Sequence, residues 1–247
     1  MRHVRWSEGF SLLLVAASVL GCAGAVDTAR EEVAVLLRCL DTNDEPVLAF
    51  HGPIYSPEME RLIEIGKPGV PFLASRLKRG LRRNVADAIV VVLGDIGDPR
   101  ATEAIVTDAR RLHRRSVIGQ YSGSHVDALA QIGDRKALDF LQEVYLWCLT
   151  PEHIPSSAEH RASMHRAVVE GLINIGGREV MPTLMCAAGD EHRGRGSHMA
   201  VEALRSWTGQ GFGNDSLSWI HWWKEHERDF QWSHSQRRFV PREATQP

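Results

Sequence analysis

A chain of 247 residues, 43% apolar and 24% charged, can bury a sizeable core in one or two domains. Its formal net charge of −2 shows no basic excess, so no nucleic-acid partner is expected. The four cysteines form neither CxxC nor CxxCH, which removes zinc ribbons and c-type haem from consideration.

Residues 1–21 read as a targeting segment outside the fold. Arg2, His3 and Arg5 precede the apolar run FSLLLVAASVL at 10–20. That run is too short to span a bilayer as a mature helix and fits a secretory signal. It ends in SVLGC at 18–22, which resembles the lipobox of bacterial lipoproteins, with Val19 where leucine is commoner. The resemblance implies lipidation of Cys22, export, and a lipid anchor in the cell envelope, on the outer membrane or the outer face of the plasma membrane. Two or more acyl chains would hold the protein stably on such a surface. The alternative is an ordinary cleaved signal, cut near Ala23 or Ala25, with Cys22 discarded.

Residues 22–56 are expected to hold the anchor, a capping helix and a linker. The capping helix is predicted over 27–40, with Val33, Leu36, Leu37 and Leu40 inward. Residues 41–56 carry Pro, Gly, Asn and Asp and read as a loop. Cys39, Cys148 and Cys186 each lie in an apolar helical run and are expected to be small buried hydrophobes.

Residues 57–206 repeat. The copies are LIEIGKPGVPFLASRL, LGDIGDPRATEAIV, LAQIGDRKALDFLQ and LINIGGREVMPTLM. Their glycines are Gly66, Gly97, Gly133 and Gly176, with Gly209 in a looser fifth copy, at spacings of 31, 36, 43 and 33. Leucine stands four residues before and isoleucine one before each of the first four glycines. Each copy reads as helix, tight corner, helix, with glycine at the left-handed position that ends the first helix. Pro68 and Pro99 suit helix starts, and Asp98 and Asp134 can cap the following helix.

Asp95 and Asp98 flank Gly97 and could suggest a metal or phosphate loop. The equivalent positions elsewhere are Glu64, Gln131 and Asn174, and Lys67, Asp134 and Gly177. A ligand loop needs its ligands, whereas a corner needs only its glycine and a cap, so the corner is preferred. The motif LGDIGDPRATEAI resembles the short HEAT repeats of the phycobilisome-lyase-like type, over roughly 57–209. The resemblance implies an all-α fold, an α-solenoid of stacked antiparallel helix pairs, which mostly presents surfaces.

The longest spacing contains LTPEHIPSSAEH at 149–160, either a binding loop or a solvated connection. The run ARRLHRRS at 109–116 reads as a solvated helix end whose cations suit the helix dipole.

Residues 207–247 hold five of seven tryptophans. The stretch WTGQGFGNDSLSWIHWWKEHERDF resembles a C-terminal module of bacterial HEAT-repeat proteins, Thr-Gly-Gln-x-Phe-Gly followed by Trp-x-x-Trp-Trp. Asp215 can cap a helix predicted over 216–229, which would set Trp219, Trp222, Trp223, His226 and Phe230 on one face. That face is either an aromatic ligand platform or, as preferred, a lid over the last repeat.

His165 and His198 each lie eleven residues before a repeat glycine. They prompt comparison with deoxyhypusine hydroxylase, an iron enzyme of HEAT repeats whose ligands are His-Glu dipeptides. Here the dipeptides are His165-Arg166 and His198-Met199, and the single His-Glu, His226-Glu227, lies in the C-terminal module. The expectation is therefore a non-catalytic scaffold or adaptor with a protein partner in the cell envelope, with no cofactor, no metal and no catalytic residue. Its expected partner face is the row of second helices, from Arg76 and Lys78 through Arg100, Glu103, Lys136, Gln142 and Tyr145. The alternative is a metal-dependent or cofactor-binding enzyme using His165 and His198.

Overall fold

A computed structural model describes residues 22–42, 48–49, 52–115, 122–150, 158–190 and 194–242. The signal segment 1–21, most of the 149–160 loop and part of the 41–56 linker lie outside the described residues, as does the side chain of Cys22. The described chain is predominantly helical, with eleven α-helices and two small antiparallel hairpins among the described residues. None of these helices is long and apolar enough to cross a membrane.

The first helix, α1, spans Cys22–Thr42, longer at both ends than the sequence predicts. Val33, Leu37 and Leu40 are buried and Leu36 packs against the same core, as expected. The linker contains an unforeseen hairpin of β1 (Leu48–Ala49) and β2 (Gly52–Pro53).

Each of the four repeat copies folds as two successive helices joined by a short corner, called a pair below: α2 (Pro57–Ile65) and α3 (Val70–Lys78), α4 (Arg83–Ile96) and α5 (Thr102–Arg115), α6 (Gly123–Ile132) and α7 (Leu138–Leu149), and α8 (Ala158–Ile175) and α9 (Met181–Ala188). Helix α10 spans Arg195–Thr208, so the 206/207 boundary falls inside it. The first helices touch in the succession α2, α4, α6, α8, α10. The apolar stripes close one continuous core, in which Leu62, Leu93, Leu129 and Leu172 are all fully buried.

The corners obey their sequence. Gly66, Gly97, Gly133, Gly176 and Gly209 all have positive φ, between 62° and 75°, where a Cβ would be strained. Asp98 and Asp134 accept hydrogen bonds from the backbone N–H of Arg100 and Lys136 and start the next turn. Asp95 instead accepts the Tyr55 hydroxyl at 2.8 Å. Partial burial, reinforced by that carboxylate, pushes the Tyr55 phenol up to about 12. Both aspartates are thus engaged within the corner region, Asp98 by Arg100 and Asp95 by Tyr55.

At the C-terminus, Asp215 caps α11 (Ser216–His226). The helix stops three residues earlier than predicted, because residues 227–229 turn into a second hairpin, β3 (Phe230–Ser233) with β4 (Arg238–Pro241). Phe230 therefore belongs to a strand and not to the helix face. The cysteine expectation is also corrected: Cys148 is buried, but Cys39 and Cys186 are exposed, and no disulfide joins the three.

Candidate interaction surface and a buried polar network

The expected partner face proves to be knitted to itself. Arg100 grips the Asp98 carboxylate through Nε and Nη2, the latter at 2.6 Å, and also donates to the carbonyl of Lys67 in the preceding pair. The Arg100 guanidinium holds the Asp98 carboxyl below its usual range, against the opposing effect of burial. Glu103 stands between Lys78, at 3.8 Å, and Lys136, at 3.4 Å. Arg110 pairs with Glu143 at 2.9 Å. Gln142 donates to the Glu179 carbonyl and the Thr183 hydroxyl of the next pair.

These contacts run from one pair to its neighbour. Exposed pairs of this kind contribute little stability each. Tyr145 departs from the expectation: at 3% exposure it is a core residue, turned inward among the helices, and offers nothing to a partner. Arg76 differs in the other direction, being exposed and without an ion pair among the described residues.

A second constellation lies beneath, between α4, α5 and α6. His125 is fully buried and its Nε2 lies 3.0 Å from Asp108 Oδ2. Its Nδ1 lies 3.4 Å from the Ser124 hydroxyl, which also reaches Asp87 Oδ1 at 3.5 Å. Asp87 is paired with Arg83 at 2.7 Å. Asp108 is paired with Arg111, whose guanidinium also donates to the carbonyls of Leu77 and Lys78 at the end of α3. Burial pushes the His125 imidazole down to about 4; Asp87 opposes that, and Arg83 and Arg111 add to it. The ring is thus neutral at neutral pH, and the hydrogen-bond pattern assigns its proton to Nε2, donating to Asp108.

Serine, histidine and aspartate are the residue types of acyl transfer. Here the ring and the aspartate are 0% and 1% exposed, closed off from solvent. The arrangement instead fastens four helices through a satisfied polar cluster. The sequence does not announce it: Arg111 falls in the run 109–116 that reads as a solvated helix end, and His125 lies in no motif. The available signal was Asp108, a charge set between Ile105 and Ala109 on the apolar stripe of α5.

The two candidate metal histidines do not converge. His165 is fully buried and lies under Gly196, where an added Cβ would sit 2.4 Å from Nδ1. Its ring lies 5.6 Å from that of Tyr145. His198 is exposed, two residues along α10 from Gly196. Residues two apart on a helix point away from one another. Among the described residues no three His, Cys, Asp or Glu side chains gather as a metal set.

The C-terminal aromatic residues pack chiefly on one another and on the last helix pairs. Trp219 is fully buried, donates to the Gly213 carbonyl at 2.8 Å, and meets Phe212 edge-on at 4.9 Å. Trp232 meets Trp207 at 4.9 Å and Phe239 at 5.1 Å. Trp222 is stacked on His226 at 5.1 Å. Two arginines clasp the module in opposite directions. Arg178 donates to the carbonyls of Glu227 and Phe230 and lies over Trp223, while Arg237 donates to the carbonyls of Ile173 and Asn174 at the end of α8.

No family model matches the chain, and no curated protein and no solved structure matches it.

Proposed function

We propose that the chain is a non-catalytic scaffold, an α-solenoid of HEAT-type helix pairs anchored by lipid on Cys22 in the cell envelope, and that it acts by binding a protein partner. The observation that carries the reading is the disposition of its polar chemistry. The polar cluster of residue types suited to catalysis, built on His125 and Asp108, is sealed in the core, as is His165. The accessible chemistry is an extended helical surface, which is what repeat proteins use for recognition. The C-terminal module serves as the closing lid, since its large rings are spent on packing against the last pairs.

Crosslinking in intact cells, followed by mass spectrometry, tests the reading. One dominant protein joined to the helical surface is the expected result; absence of any specific partner would overturn it. The anchor is tested separately. Cys22→Ser should move the protein from the membrane to the soluble fraction, and an unchanged membrane fraction would remove the lipid anchor from the proposal.

A further inference from the structure

The patch in question is basic and lies where α3 and α5 end. Arg76 and Arg79 lie one helical turn apart at the end of α3, and Arg114 and Arg115 close α5. All four are exposed, and none makes an ion pair among the described residues. Their basic neighbours are committed elsewhere: Lys78 to Glu103, Arg83 to Asp87, Arg110 to Glu143 and Arg111 to Asp108.

The buried network brings the two ends together. Arg111 bonds the last carbonyls of α3, and its Nη1 lies 3.1 Å from where a Cβ on Gly80 would stand. Arg114 and Arg115, one turn further along the same face of α5, therefore extend beyond the α3–α4 turn beside Arg79. Two helix C-termini also lie here, and their dipoles favour cations. That effect makes the patch cheap to maintain without neutralising its outward charge.

The patch also has a direction. Gly69, at the first corner, is packed against Val33 in the middle of α1, whereas Arg82, between α3 and α4, donates to the carbonyl of Asp41 at the end of α1. At 1.5 Å per residue, Cys22 lies about 16 Å beyond Val33 on one side, and Asp41 about 12 Å beyond it on the other. The corner edge thus lies toward Cys22, and the basic edge lies roughly 30 Å from it along α1.

We infer that Arg76, Arg79, Arg114 and Arg115 form the docking site for an acidic segment of the partner protein, on the edge roughly 30 Å from Cys22 along α1. The inference rests on the lipid-anchored scaffold reading above, because that distance from the anchor is what favours a protein over the headgroups beneath it. Four exposed cations within one patch suit a run of carboxylates, with association steered by charge and weakened by salt.

The test uses the full-length protein extracted from membranes in mild detergent, with a fluorescent Glu-rich peptide as the probe and inorganic polyphosphate as a competing anion. Replacing all four arginines by glutamine should weaken peptide binding roughly tenfold, at a modest free energy per exposed pair. Replacing them by lysine should restore most of it. Since all four side chains are exposed, both variants should fold, which circular dichroism checks. Equal binding by the glutamine variant, no binding of the peptide by the native protein, or preference for polyphosphate at equal charge would each overturn the inference. Crosslinking in cells separates the two levels. A partner retained by the glutamine variant leaves the scaffold standing and removes this docking site. A partner absent even from the native protein removes the scaffold itself.

Discussion

Trp232 of the C-terminal hairpin lies directly on Gly176, the corner glycine between α8 and α9: a Cβ at position 176 would stand 2.5 Å from Trp232 Cζ2. The fourth corner thus does two jobs, turning the chain and admitting an indole. Gly176→Ala should cost about 1 kcal/mol for the positive φ and about 1–3 kcal/mol more for overpacking. Gly209 provides the control, since its φ is +75° and nothing lies within 4 Å of its missing Cβ. Gly209→Ala should therefore cost only about 1 kcal/mol. Urea denaturation of both variants measures the difference, and equal losses would show that the indole does not occupy the corner.

The turn of the same hairpin contains a strained residue. Arg237 is the one non-glycine with positive φ among the described residues, at 50°, and its guanidinium closes the end of α8. Alanine would keep the strain and lose the bonds, at a cost of about 1–3 kcal/mol for hydrogen bonds from a charged donor. Glycine would lose the same bonds but relieve about 1 kcal/mol of strain. The expected order of stability is native, then Arg237→Gly, then Arg237→Ala, read from thermal midpoints; a glycine variant less stable than the alanine variant would contradict it.

Asp108 and Glu103 both carry charge on α5 and should behave very differently. Removing Asp108 leaves His125 and Arg111 facing a buried vacancy, so Asp108→Ala should cost about 3–5 kcal/mol. Removing Glu103, whose two lysine partners are exposed, should cost less than about 1 kcal/mol. Comparable losses in chemical denaturation would mean that the surface ladder, and not the buried cluster, holds the pairs together.

The same contrast explains what the sequence made legible. Glycine after isoleucine, leucine four residues before, and an aspartate or proline just after the glycine are local rules, and every corner glycine they mark does take positive φ. Caps at Asp98, Asp134 and Asp215 are equally local. What depends on contacts across pairs was not legible. Tyr145 sits one residue from the exposed Leu146, so a small error in helical phase turned a core ring into an expected surface residue. The C-terminal hairpin carries no local signature, and the expected helix over 216–229 with Phe230 on its face overran the turn at 227–229, because Phe230 continues the aromatic spacing of Trp219, Trp222 and Trp223. The His125 cluster needed three helices in place before its members could meet.

That cluster gives the protein a specific acid sensitivity. His125 has an ordinary value of 6.5 when unfolded and is pushed down to about 4 by burial. Between those values the unfolded chain binds a proton that the folded chain refuses, so stability is whole above pH 6.5 and declines as pH falls toward 4. The loss from this one group should be about 2 kcal/mol between pH 7.5 and 5. Carboxylates also titrate near the lower end, so the comparison must be made against a variant that lacks the imidazole. His125→Gln should be less stable than the native protein at pH 7.5, because the buried partners of the ring are disturbed, yet it should lose less stability on acidification. Denaturant midpoints measured for both proteins across this range check the difference. Parallel curves would mean that folding leaves the titration of His125 unchanged; a native protein that gained stability relative to the variant on acidification would mean that His125 is protonated in the fold, drawn up by Asp108 and Asp87, and that the cluster is a buried ion pair.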